Sequence, residues 1–338
     1  MRAIQLMAYG RPLEIREVPT PTPRGEEVLV RVGGAGICHT DLHIAEGKIA
    51  TLPTLPFTLG HEVAGYVERV GESVKGVSVG ERVVVYGAWS ERTDRHSIRG
   101  EGNLSDPSGW MGVGRPGGYA EFVLVPSYRY LVPLNADPVE AAPLADAGLT
   151  PYRAIKKMLS YLFPGTIAVV LGIGGLGSFA LQYLRLFAPY SKLVAVDVKE
   201  SRLRQARDLG ADLTVDASVE DPVEAVMDLT GREGVNGVLD LVGTDSTMDQ
   251  ALRMAGRESI VVIVGQAGGT MKYSPRVASE IAVTFSSWGT LTELTEVVKL
   301  AEMGLVRSRI QRISFEEIND TFNKLRDGGV EGRAVLVP

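Results

Sequence analysis

The sequence predicts an α/β chain of two domains: an antiparallel, barrel-like β domain and a doubly wound parallel sheet. Three observations carry this. Up to about residue 130, short alternating strands are punctuated by glycine. Beyond Thr166, apolar strands alternate with helices. Between the first of those strands and its helix lies a glycine-rich turn, Gly172-Ile173-Gly174-Gly175-Leu176-Gly177.

Taken in order, Met1 to Leu6 reads as a first strand rather than a signal peptide. Glu27 to Val32 alternates, and glycines at 33, 34 and 36 break the run just before Cys38. Val63 to Val70 and Arg82 to Val85 are strands set off by Gly71, Gly76 and Gly80, and Gly118 to Val125 follows in the same way. The texture changes near Pro138, with short helices expected at 138–144 and 148–158. Thr166 to Leu171 is the apolar run of a strand buried on both faces, with a helix from the glycine turn to about Phe187. Further strands are expected at 193–198, 213–215, 237–242, 260–264 and 283–286, most of them separated by helices. A tail with helices at 291–303 and 316–326 and a strand at 333–337 returns to the first domain.

Composition bounds the function. An apolar fraction of 45% is enough for a large core, and 22% charged residues is ordinary. A net charge of −6 argues against nucleic acid or an anionic membrane as a main partner. No apolar run approaches the ~20 residues of a membrane helix. One cysteine permits no internal disulfide, which fits a reducing cytoplasm. The chain holds 5 Asn and 6 Gln, and so few thermolabile amides point toward a thermophilic source.

The glycine turn has the context that a lone glycine pattern lacks. A buried strand precedes it, a helix follows, and Asp197 ends the next strand 20 residues after Gly177. Gly172 permits a tight turn, Gly174 lets backbone approach a pyrophosphate, and Gly177 allows close helix–strand packing. The helix N-terminus then stabilises phosphate charge. Asp197 accepts hydrogen bonds from ribose hydroxyls and repels a 2′-phosphate, favouring NAD over NADP; Lys199 and Arg202 pull the other way. A parallel-sheet turn without a nucleotide is the bland alternative.

The densest chemistry lies at Cys38-His39-Thr40-Asp41-Leu42-His43. It holds the only cysteine and two of the four histidines. His61, in Gly60-His61-Glu62, follows 23 residues after Cys38. Thiolate and neutral imidazole are ligand types that zinc prefers. Alone, Cys38 reads as a buried apolar thiol and His61 as a core histidine. Together with Gly60-His61-Glu62-x2-Gly65-x5-Gly71-x2-Val74 they resemble the signature of the zinc-containing alcohol dehydrogenases of the medium-chain dehydrogenase/reductase superfamily, a resemblance that spans the whole chain.

That resemblance implies a GroES-like catalytic domain at 1–151 and 289–338 and a Rossmann NAD-binding domain at 152–288. It implies one catalytic zinc held by Cys38, His61 and a third ligand before the nucleotide domain. The matching position is Asp146, where cysteine is usual; aspartate there is similar to the branch acting on secondary alcohols. A carboxylate keeps the anionic count, though it is harder than thiolate, and a helix N-cap is the alternative role. Glu62 matches the residue that sits near zinc and ligates it transiently, or is an ordinary carboxylate. Asp41 orients His61 through its other ring nitrogen. The positions matching the four cysteines of a second, structural zinc are Glu91, Asp94, Ser97 and Ser105, so that zinc is expected to be absent. Ion pairs among Glu91, Arg92, Asp94, Arg95 and Arg99 are expected in its place.

The resemblance further implies interconversion of an alcohol with a ketone or aldehyde, the proton leaving through Thr40, the ribose hydroxyls and His43. His39 and Arg333 are expected at the pyrophosphate, and Gly175, Leu176, Val242, Val264 and Trp288 as other cofactor contacts. Trp89, Trp110 and Leu55 are candidate walls of an apolar substrate pocket, or core packing; His96 has no assigned role. A homodimer or homotetramer acting on a secondary or bulky alcohol is expected. Rival readings are a polyol or sugar dehydrogenase of the same superfamily and a non-catalytic NAD-binding protein. The second expects a lost ligand or relay residue, and none is lost.

Overall fold

The computed structural model describes residues 1–49, 53–90, 94–272 and 278–338. They form two compact units, Met1–Leu149 with Gly289–Pro338, and Thr150–Trp288. Among the described residues no helix is long and apolar enough to cross a membrane.

The first unit opens with β1 (Arg2–Leu6) and β2 (Glu14–Glu17), then β3 (Val28–Gly36). The stretch that carries Cys38 is a short helix, α1 (His39–Ala45). Then follow β4 (Phe57–Thr58), β5 (Glu62–Val70), β6 (Arg82–Val85), α2 (Arg95–Ile98), β7 (Phe122–Val125), β8 (Leu131–Pro133) and α3 (Pro138–Ala141). A 3-10 turn, Ala142–Ala145, delivers Asp146.

The second unit alternates helix and strand: α4 (Leu149–Met158, its first residue still in the first unit), β9 (Ile167–Leu171), α5 (Gly175–Phe187), β10 (Lys192–Asp197), α6 (Glu200–Asp208), β11 (Leu213–Asp216) and α7 (Pro222–Leu229). It closes with β12 (Val235–Asp240), α8 (Asp245–Met254), β13 (Ala255–Ile263) and β14 (Ala282–Phe285). The chain then re-enters the first unit with α9 (Leu291–Glu302), β15 (Ile310–Ile313), α10 (Ile318–Arg326) and β16 (Arg333–Leu336).

Local chemistry explains the boundaries. Asp221 caps α7 with Pro222 at its first position, and Thr290 and Glu293 form a capping box on α9. The β domain contains a sheet ordered β15-β16-β3-β5-β6-β8, with β7 also on β3, and a small sheet β2-β1-β4. Pairing there is antiparallel except between β15 and β16. β15 was not expected from the sequence: Ile310-Gln311-Arg312-Ile313 has too little alternation to stand out, and it pairs beside β16. The other sheet is parallel throughout, ordered β11-β10-β9-β12-β13-β14. The order in which the chain adds strands reverses between β9 and β12. That switch point is where open α/β sheets bind ligands, beyond the carboxyl ends of their strands. β12 stops at Asp240, two residues short of the expected end, because the Asp240 carboxylate turns the chain there.

Candidate metal centre and cofactor turn

The centre is built by three segments of the first unit. β3 brings the chain to Cys38, which sits at the N-cap of α1. Gly60-His61 enters β5, and the turn after α3 supplies Asp146. Cys38 Sγ lies 3.5 Å from Asp146 Oδ2, and His61 Nε2 lies 3.4 Å from the same oxygen. One ligand atom from each of Cys38, His61, Glu62 and Asp146 falls within 4.8 Å of the others.

These spacings fit a metal. Around tetrahedral zinc, Zn–S of about 2.3 Å and Zn–O and Zn–N of about 2.0 Å put neighbouring ligand atoms about 3.3 to 3.5 Å apart. The charge fits as well. Burial opposes charge on His61, yet Asp41, Asp146 and Cys38 raise its pKa well above the ordinary histidine value. The surroundings favour a cation here.

Asp41 has no exposed surface. Its Oδ1 meets His61 Nδ1 at 3.1 Å and accepts from Gly60 N at 3.2 Å. Its Oδ2 accepts from Cys38 N at 3.0 Å and from the Tyr119 hydroxyl at 2.8 Å. With Nδ1 occupied, Nε2 is the nitrogen turned toward Cys38 and Asp146. Tyr119 escaped the sequence reading, because nothing separates its tyrosine from any other in an alternating strand.

Glu62, the fourth member of the cluster, is ion-paired with Arg333. Arg333 Nε donates to its Oε2 at 3.0 Å, and Nη2 donates to Oε1. A Cβ on Gly36 would collide with Oε2, so the glycine before α1 makes room for this carboxylate. Burial pushes the Glu62 carboxyl up and Arg333 pulls it back, while Glu62 overcomes desolvation to hold Arg333 firmly protonated. Arg333 is thus committed to Glu62, with Asp146 Oδ2 a further 3.9 Å from Nη2, and is 4% exposed. The guanidinium, paired bidentately and buried here, is turned to the carboxylates.

Thr40 and His43 lie three residues apart on α1, hence on one face. Thr40 Oγ1 is 3.7 Å from Cys38 Sγ. Burial lowers the His43 pKa; Glu46 opposes the shift and Lys48 adds to it. His39 is exposed, its ring centroid 6.5 Å from that of His43. Trp89 is buried against Tyr130, with Trp110 and Leu55 partly buried on the same core. A Cβ on Gly112 would come within 2.9 Å of His61 N, so the strand of chain after Trp110 runs beside the histidine.

The lobe after β6 carries α2. Asp94 caps α2 by accepting from His96 N and Ser97 N, while Arg99 and His96 both turn to Glu101, each at 3.3 Å. Asp94 is drawn to the helix amides, which leaves Glu101 as the acceptor. Glu91 and Arg92 lie outside the described residues.

In the second unit, Gly172 adopts φ +90°, open to glycine at little cost. Gly174 caps α5 with φ −81°, and nothing lies within 4 Å of where its Cβ would be. Neither conformation nor protein packing demands glycine at 174. A closely approaching ligand would. Gly175 and Leu176 begin α5, and a Cβ at Gly177 would strike Gly172 O. Asp197 Oδ2 accepts from Ile173 N at 2.7 Å and Oδ1 from Lys199 N at 3.0 Å, with Arg202 Nη1 at 3.5 Å from Oδ2. Arg202 therefore faces Asp197 and is partly neutralised by it. Val242 follows β12, Val264 follows β13, and Trp288 is buried at φ +46°.

Comparison with known proteins places these features. Residues 24–136 match the alcohol dehydrogenase GroES-like domain, and 175–303 match the zinc-binding dehydrogenase domain. The chain belongs to the zinc-binding alcohol dehydrogenase family. Among its relatives is an NAD-dependent alcohol dehydrogenase of Sulfurisphaera tokodaii, 36% identical over 351 residues and all of both chains. A crystal structure of an alcohol dehydrogenase from the hyperthermophilic archaeon Aeropyrum pernix is 40% identical, with a TM-score of 0.94 and full coverage of both chains. A D-arabinose 1-dehydrogenase (NADP(+)) of Saccharolobus solfataricus is 36% identical over 346 residues, covering 100% of this chain and 97% of that one. The α/β architecture, a GroES-like domain followed by a nucleotide-binding one, is that of the family.

Asp41→Ala is expected to weaken zinc retention about 10- to 100-fold, since it frees the His61 ring; Tyr119→Phe, which removes one of four donors, should have a smaller effect. Competition with a chromogenic chelator measures both, and an unchanged affinity in Asp41→Ala would refute the orienting role.

Proposed function

We propose that the chain is a zinc-dependent alcohol dehydrogenase, transferring hydride reversibly between NAD(H) and an alcohol or ketone of secondary or bulky apolar type. The observation that carries this is the Cys38–His61–Asp146 cluster, whose two edges to Asp146 suit tetrahedral zinc and whose histidine is oriented from behind by Asp41. Cys38, His61 and Asp146 would hold the metal. Gly172 to Gly177 and Asp197 would receive the dinucleotide, with His39, Val242, Val264 and Trp288 as further contacts. Bound zinc supplies Lewis acidity toward the substrate oxygen, and NAD supplies the hydride acceptor.

The chain's own residues then manage position and protons. Thr40, beside Cys38, is placed to accept the proton of an alcohol hydroxyl. His43 lies on the same face of α1, and its lowered pKa keeps it neutral at pH 7, ready to take that proton onward. Glu62 and Arg333 neutralise each other under the ligands. Asp197 supports NAD, and the S. tokodaii relative carries an NAD-dependent name. The D-arabinose relative favours a second reading, a sugar or polyol dehydrogenase. A reducing cytoplasm suits a chain whose single cysteine is assigned to metal. A homo-oligomer is the assembly we infer, because β14 is a sheet edge with Phe285 64% and Val283 39% exposed.

Three outcomes follow. Metal analysis should find one zinc per chain, and its removal should abolish NAD(H)-coupled turnover in a panel of alcohols, ketones and sugars; activity surviving zinc removal would sink the proposal, and sugar-only activity would select the second reading. Thr40→Val and His43→Gln should both keep zinc and slow turnover, Thr40→Val more, with general-base losses of ~100-fold or more at the upper end. In the wild type, protonating His43 removes the base, and its lowered pKa places that acid limb below pH 6.5. The limb should vanish from the kcat–pH profile of His43→Gln, and a wild-type profile would take His43 out of the relay. Light scattering should return a multiple of the chain mass, and Phe285→Lys should reduce it; a monomeric wild type would refute assembly.

A further inference from the structure

Asp240 ends β12 with no exposed surface. Its Oδ1 accepts from Val242 N at 2.9 Å and Gly243 N at 3.0 Å, an Asx arrangement that bends the chain out of the strand. Its backbone carbonyl accepts from Val264 N at 2.8 Å and Gly265 N at 3.1 Å. One residue thus shapes the turn after β12 and ties to it the turn after β13.

Those turns are pressed together. A Cβ on Gly243 would overlap the Gly265 backbone, and one on Gly265 would overlap Val242. Gly269 N bonds Gly243 O at 2.9 Å. Val242 Cγ2 lies 2.6 Å from where a Cβ on Gly172 would stand, so this side chain is the surface on which the first glycine of the cofactor turn rests. Leu241 N also reaches Leu171 O, at 3.0 Å, just before that glycine.

A carboxylate is an expensive choice for such a place. Among the described residues no hydrogen bond of ordinary geometry reaches Asp240 Oδ2. Burial pushes its carboxyl up, against the Val242 and Gly243 amides and the Thr247 hydroxyl that hold it down. If packing alone were at stake, an apolar side chain would fill the site without that desolvation cost. The two amides are what the carboxylate serves.

We propose that Asp240 is a positioning residue for the dinucleotide, setting the Val242–Gly243 turn and, through Val242, the Gly172–Gly177 turn in the shape that the cofactor meets. This rests on the NAD reading above. Asp240 acts through other groups and is not a catalytic residue.

The test compares Asp240→Ala and Asp240→Asn with wild type in zinc-loaded full-length protein. NADH affinity is read by calorimetry, kcat and KM for NAD by steady-state kinetics, and amide hydrogen exchange at 242–243 by mass spectrometry. Asp240→Ala should weaken NADH about tenfold or more, raise KM for NAD with kcat little changed, and speed exchange at those amides, with zinc content unaltered. Asp240→Asn keeps a side-chain oxygen for both amides and should restore affinity to within about threefold. Should Asp240→Ala not fold, Asp240→Ser, too short to serve both amides, replaces it with the same expectation. Wild-type NADH affinity in Asp240→Ala, or an Asp240→Asn variant as weak as Asp240→Ala, would overturn the proposal. Failure of the wild type to bind NADH would instead overturn the NAD reading, and the exchange comparison alone would then decide whether Asp240 sets the turn.

Discussion

The first unit's chemistry depends on one buried carboxylate. Asp41 collects Cys38 N, Gly60 N, His61 Nδ1 and the Tyr119 hydroxyl, from three places in the chain. A carboxylate removed from water survives only if its lone pairs are satisfied. Four partners do so here, and each is thereby fixed. The same bonds that make the burial tolerable place the thiol, the imidazole and the strand entering β5. Removing the carboxylate would leave Cys38, His61 and a helix start to find their positions independently. Stability and metal geometry are one constraint at this residue.

The second constraint runs from the far end of the sequence. β16 pairs with β3, Val335 opposite Gly36 and Leu336 opposite Ala35. That register sets Arg333, at the start of β16, against Glu62, which β3 pairs opposite Gly36. Breaking such a pair by removing one member typically costs about 3–5 kcal/mol, since the other is left charged and buried. The late return of the chain to its first unit is therefore tied to the metal centre and does more than complete a sheet.

Much of this was legible in the residues. Cys38 and His61 stand out because thiol and imidazole are rare in this chain, glycine spacing marks both the signature and the nucleotide turn, and Asp146, one carboxylate among 41, is singled out only by the family resemblance. Strands such as Ile167–Leu171 announce themselves as apolar runs between glycines. What could not be read is what depends on contact across the sheet. Nothing in Arg333 says that its guanidinium will meet Glu62; the register of β16 on β3 brings them together. Tyr119 and Asp240 were silent for the same reason, since neither residue carries a mark of its partner, the Asp41 carboxylate for the hydroxyl and the Val242 and Gly243 amides for the carboxylate. The turn into α1 was also hidden: seven residues dense in polar side chains look like a loop until Asp41 bonds back to Cys38 N.

The same balance of charge bears on Asp146 as the proposed third ligand. Thiolate Cys38 and carboxylate Asp146 would bring two negative charges to a divalent ion, the number that two thiolates would bring, so exchange of cysteine for aspartate leaves the centre neutral. The Glu62–Arg333 pair beneath it is neutral too, and Asp41 is satisfied by donors. A carboxylate is the harder base and holds its charge on oxygens that water solvates strongly, so it needs a further favourable contact if it is to stay dry. Arg333 Nη2, 3.9 Å from Asp146 Oδ2, is near enough to supply part of that attraction. A buried guanidinium hydrogen-bonded to Glu62 and 3.9 Å from Asp146 thus gives a physical reason why this chain can carry an aspartate here. Asp146 and Arg333 are parts of one electrostatic arrangement.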